Sequence, residues 1–231
     1  MSPVAAVVLA VAAAGAVAAA AWPFLGLLTY LWFDFMRPHD SWVVLRAYRP
    51  MLVLGAVTTA AALWQQRRQL LDRWLRLLPL LVLAAAVALN AVHSSDPATS
   101  AGVLLQVLKM LALVWLMSVL VTTDARFQAT LWVIALSLLV LAVGAVVQGV
   151  EHGLLHEFQT ALVIEGPSGN HDGEFGDNNF LARVLVLSVP LWWALASRVG
   201  PVWVRVVAAA GFVTTVAGIV FTFSRGGFVA L

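Results

Sequence analysis

Cysteine does not occur in this chain, and lysine occurs once among its thirteen basic residues. The first absence excludes a disulfide framework and leaves the redox compartment open. Charge of either sign is scarce: 13 basic and 11 acidic side chains leave a formal net charge of +2, and charged residues are 10% of the 231. No basic face of the kind that holds nucleic acid can be assembled from so few cations, so a nucleic-acid partner is excluded. What fills the chain instead is apolar, 62% of all residues. A soluble chain of this length has no single core large enough to hide that much apolar surface. The apolar residues also fall in long uncharged blocks, not in the amphipathic stripes of water-facing helices. In lipid each backbone amide must be satisfied within its own segment, so such blocks are expected to be helices. The expected fold is an all-α, polytopic transmembrane bundle.

A helix needs about 20 apolar residues to cross a bilayer. Val4 to Phe35 holds one long span or two short ones, broken near Trp22-Pro23. No basic region precedes Val4, and more apolar sequence follows Ala21 at once, so this is a retained span and not a cleaved leader. Further spans are expected over Met51–Trp64, Leu77–Val92, Gly102–Val121, Phe127–Val150, Asn178–Ala196 and Val202–Phe223, with another segment starting at Phe228. That makes about 7–9 spans in one transmembrane domain over residues 1–231, interrupted by a loop at 151–177. The last segment stops at Leu231, so the chain is expected to be the N-terminal part of a longer protein.

Arginine placement orients the spans. The connection from Gln65 to Arg76 carries Arg67, Arg68, Arg73 and Arg76 and is expected on the cytoplasmic side. Counting outward, the Thr122–Arg126 and Arg198–Arg205 turns fall on the same side. The 151–177 loop falls opposite; it has no Lys or Arg and holds six of the eleven acids. The Met36–Pro50 connection, with Arg37, Arg46 and Arg49, also falls opposite, against the rule. So do all five histidines: His39, His93, His152, His156 and His171.

An ionisable group inside a span costs roughly 2.5 to 3.5 kcal/mol and by default marks function. Lys109 is expected about two turns below the outer end of its helix, with Gln106 on the same face. Arg183 lies about a turn and a half inside the outer end of its helix, and Arg225 at the outer interface. Together Lys109, Arg183 and Arg225 would form a cationic pocket suited to phosphate; singly, each is explained as well by snorkelling. In Ser224-Arg225-Gly226-Gly227, paired glycines would expose backbone N–H groups beside an arginine, or simply make an interfacial turn. Asp177-Asn178-Asn179 opens a helix, where Asp and Asn are ordinary caps. His152 and His156, spaced i and i+4, lack a third ligand, and the acidic Gly-rich loop before Asp177 lacks calcium-loop spacing, so no metal is expected.

Several stretches resemble the O-antigen ligase/polymerase superfamily, nearest to O-glycosylation ligases of exosortase-associated systems. They are Phe35-Met36-Arg37-Pro38-His39, Leu105 to Met110, Leu131 to Ser137, Gly166-Pro167-Ser168-Gly169 with Asp177-Asn178-Asn179, and Phe223-Ser224-Arg225-Gly226-Gly227-Phe228. The resemblance implies transfer of a glycan from an undecaprenyl-diphosphate carrier to a protein or lipid A core acceptor, at the periplasmic face of the bacterial inner membrane. It implies Arg225 as the diphosphate-holding residue, with no cofactor, since fixed cations stabilise such a leaving group. Lys109 and Arg183 join it from the residue argument, supported by Ser224, Gly226, Asp177, Asn178 and Asn179. The family's proposed histidine base lies further along than Leu231, so no catalytic residue is assigned here. Arg183 stands where the family pattern has an apolar residue. A polymerase of the same superfamily is the first alternative. A transporter or flippase for an anionic lipid-linked solute is the second, disfavoured because the inner halves of the spans carry almost no polar groups. A non-catalytic scaffold is the third.

Overall fold

The computed structural model of the protein describes residues 3–36, 50–72, 74–94, 96–152, 178–197, 201–222 and 224–231. Among these the secondary structure is helical: α1 Pro3–Ala21, α2 Pro23–Met36, α3 Pro50–Asp72, α4 Trp74–Val92, α5 Pro97–Leu120, α6 Asp124–His152, α7 Asn178–Ala196, α8 Val202–Phe221 and the six-residue α9 Arg225–Ala230. Four stretches are long and apolar enough to cross a membrane: Thr99–Leu120, Asp124–Val147, Asn179–Ala196 and Val202–Phe221. Ala6–Ala21, Pro23–Met36, Pro50–Gln65 and Leu78–Val92 are apolar but shorter.

Local chemistry sets the helix ends. Trp22 breaks the first apolar block because Pro23, which has no N–H to lose, starts a new helix there. The result is two antiparallel helices: Gly15 of α1 meets Thr29 of α2, and Ala19 meets Gly26. The open question at Val4–Phe35 is thus answered by two helices, not one. α5 starts at Pro97, five residues before the expected Gly102, because Asp96 caps it by accepting from the Thr99 N–H at 3.2 Å. The arginine-rich connection after Trp64 is helical through Asp72, since Gln, Arg and Leu are good helix formers.

The helices form two trios. α1, α2 and α3 pack on one another; α6, α7 and α8 do the same; α2 joins the trios by lying along α6. α5 packs on α2, α3 and α4. The second trio is centred on Leu138, Leu141, Leu185 and Ile219 and, further along, on Trp192 with Leu131, Leu195 and Ala208. The buried Trp192 indole N–H donates to Thr215 Oγ1 at 3.0 Å, joining α7 to α8, and its ring sits edge-on to Trp132 of α6.

Both trios share one polarity. At one end, Gln65 of α3 donates to the Ala20 carbonyl at the close of α1 (2.9 Å). Arg126 there donates to the Leu120 carbonyl (3.0 Å) and lies 5.2 Å over the Phe24 ring. The chain segments carrying Arg67, Arg68, Arg76 and Arg205 run to this same end. Four exposed tryptophans, Trp22, Trp64, Trp193 and Trp203, also sit there. That is the composition of a helix bundle's membrane–water interface. The opposite end is marked by Met36, Pro50, Pro97, His152, Asn178 and Phe221.

Candidate functional site

The opposite end brings together two of the singled-out motifs. Asn179, in the first turn of α7, accepts a hydrogen bond at Oδ1 from the Ser224 hydroxyl at 2.9 Å. Ser224 is almost fully buried. Its Oγ also accepts from the Gly227 N–H at 3.2 Å, so it is the N-cap of α9. Thr222 closes α8 just before it, donating to the Ile219 carbonyl at 2.7 Å and accepting from the Ser224 N–H at 3.4 Å.

The two glycines play different parts. A Cβ at Gly227 would lie 3.0 Å from the Ala182 methyl and 3.2 Å from Ile219 Cγ2, so glycine is what lets α9 lie against α7 and α8. Gly226 is exposed, and a Cβ there would be in ordinary contact with Ser224 Oγ at 3.9 Å. Of the two readings of Ser224-Arg225-Gly226-Gly227, exposed N–H groups or a plain turn, the structure shows a capped helix start in which the Gly227 N–H is taken by Ser224.

Arg225 is the first residue of α9; its side chain lies outside what the structure describes, as do the Asn178 side chain and Asp177. Arg183 is exposed on α7, one turn after Asn179, and so shares its face. Lys109 stands in other surroundings. It is twelve residues into α5, about 18 Å from the helix start at 1.5 Å per residue, deeper than the two turns expected, because α5 begins early. There it borders a groove with Tyr30 of α2 and residues of α3. Gln106 is exposed like Lys109.

Chemically, the Asn179–Ser224 junction positions and does not react. The amide of Asn179 is no base, and the Ser224 proton is committed to it. His93 closes α4, its Nδ1 2.8 Å from the Leu89 carbonyl; His39, His156 and His171 lie outside the described residues, as does the His152 side chain. Among the described residues no three His, Cys, Asp or Glu side chains gather as metal ligands. Sequence reasoning missed the tryptophan ring at the basic end, although each of the four stands beside a charged or helix-ending segment. It also missed Arg126 as a cap for α5.

A helical bundle with four membrane-length apolar helices, and lipid-suited side chains on its outside, defines a membrane protein. The chain belongs to a family of unknown function, DUF5935, whose profile matches residues 4–200. The matched stretch includes Asn179, Arg183 and Lys109 and ends before Ser224. No curated protein and no solved structure matches the chain.

Proposed function

We propose that this chain is a multi-pass inner-membrane protein of about 7–9 spans that takes part in glycan transfer from an undecaprenyl-diphosphate carrier to a protein or lipid acceptor. In this reading the tryptophan-rich, basic end faces the cytoplasm and the Asn179–Ser224 end faces the periplasm, in line with the positive-inside rule. The observation that carries the reading is the hydrogen bond between Asn179 Oδ1 and Ser224 Oγ. It joins two motifs 45 residues apart, both of which the resemblance to the O-antigen ligase/polymerase superfamily had singled out. Arg225 follows Ser224 directly, and Arg183 shares the α7 face of Asn179.

In the reaction the bond between the sugar's anomeric carbon and the carrier oxygen breaks, and the diphosphate leaves with the electron pair. The acceptor oxygen bonds to that carbon, and its proton passes to a base that neither Asn179 nor Ser224 supplies. Arg225 and Arg183 would neutralise the departing diphosphate, with bidentate guanidinium contacts where lysine gives only a point charge. Ligase and polymerase differ here only in the acceptor.

The test is transfer by the full-length protein in membranes from an undecaprenyl-diphosphate donor. Arg225→Ala is expected to lower transfer about 100-fold or more at unchanged membrane insertion, and Arg225→Lys to restore only part of it. Undiminished transfer by Arg225→Ala would remove the proposed site. Flux of the carrier across vesicles without transfer would support the transporter reading instead.

A further inference from the structure

Between α3 and α5 runs a groove of about 720 Å³. Its α3 wall carries Gly55, Ala56, Thr59 and Ala60, and its α5 wall carries Ala112 and Lys109. The α3 residues form two pairs at i, i+4 spacing, the pattern that lets a neighbouring helix backbone approach closely in a membrane. The groove follows α3 from Pro50 to Leu63, about 20 Å or almost four turns, which is the contact length of packed helices. Nothing in the described structure covers it.

Small residues alone would leave the occupant open; Lys109 does not. It is exposed, lines the groove, and makes no hydrogen bond or ion pair among the described residues. It stands twelve residues from Pro97 and eleven from Leu120, midway along a membrane-length helix. A cation at that depth needs an anion at the same depth. Lipid headgroups lie at the helix ends, roughly 16 Å away along the axis, beyond the reach of a lysine side chain. A carboxylate carried on another helix can be placed there.

We propose that the α3–α5 groove docks one transmembrane helix of a partner membrane protein, which presents a single Asp or Glu near its midpoint to Lys109. This does not depend on the glycan-transfer reading.

Because the chain has no cysteine, a single label can be placed by Leu52→Cys, on an exposed groove-lining residue. The full chain, so labelled in phosphatidylcholine vesicles, is titrated with synthetic Leu/Ala peptides of about 21 residues, carrying one central Glu, Gln or Leu, and energy transfer is read. The Glu peptide is expected to bind about tenfold more tightly than the other two. Lys109→Leu should abolish that preference while leaving the Leu peptide's binding unchanged. Lys109→Glu should transfer the preference to a peptide with a central Lys, which guards against a folding defect in the first variant. Equal binding of all three peptides to the wild type, or a Glu preference that survives Lys109→Leu, would overturn the proposal. So would displacement of every peptide by anionic phosphatidylglycerol, which would give the groove to a lipid.

Discussion

The two trios of helices solve the same problem by different means. In α1–α3 the closest approaches are made at small side chains, Gly15 against Thr29 and Gly26 against Ala19 and Thr58, beside the buried Phe33 and Leu54. In α6–α8 Gly218 likewise lets α8 approach the Ala142 backbone of α6, but between α7 and α8 a large aromatic ring fills the contact. Trp192 is fully buried, lies over Gly211, and is fixed by the bond to Thr215. Each trio also buries a threonine completely, and the pair differ in one respect. Thr215 Oγ1 accepts from the indole, whereas Thr58 Oγ1 has no hydrogen-bond partner among the described residues. Close backbone approach needs no polar fastening, since dispersion over many small contacts suffices where lipid offers no hydrophobic drive. A bulky ring wedged between helices leaves an N–H that must be satisfied.

Substitutions can break or sharpen that contrast. The largest effect is expected from Gly26→Leu, whose side chain would meet Ala19, backbone included, and Thr58 with no flexible group to yield. It should cost about 3 kcal/mol or prevent folding, read by SDS-titrated unfolding in mixed micelles. A loss well under 1 kcal/mol would mean the first trio is not close-packed. Thr215→Val should cost about 1 kcal/mol by the same assay, because it orphans the buried Trp192 N–H. The smallest effect, opposite in sign, is expected of Thr58→Val. Removing a buried hydroxyl that has no partner among the described residues should leave stability unchanged or raise it by about 0.5 kcal/mol. If both valine variants lose stability equally, the distinction between the trios fails.

Much of this architecture was legible in hydropathy. The bounds of α7 fall on the expected Asn178 and Ala196, and the Trp22-Pro23 break is where the first hairpin turns. The start of α5 was legible by another signal, the Asp96-Pro97 cap, which apolar run length overrode; that one misjudgement set Lys109 too shallow. Helix pairing was not legible, because apolar spans of similar composition do not encode which neighbour each will choose. So the Asn179–Ser224 bond had to be observed, as did the placement of Lys109 beside α3, away from α9's main packing partners α7 and α8.

The ring of Trp22, Trp64, Trp193 and Trp203 holds one end of the bundle at a fixed level, since indoles seek the headgroup boundary. The far end has no such ring among the described residues. In bilayers of different thickness the anchored end keeps its level, and the whole mismatch is taken up at the other. The Asn179–Ser224 junction therefore rides higher or lower relative to the lipid phosphates as the membrane thins or thickens. Bilayer thickness becomes a setting for how deep in the headgroup layer that junction works.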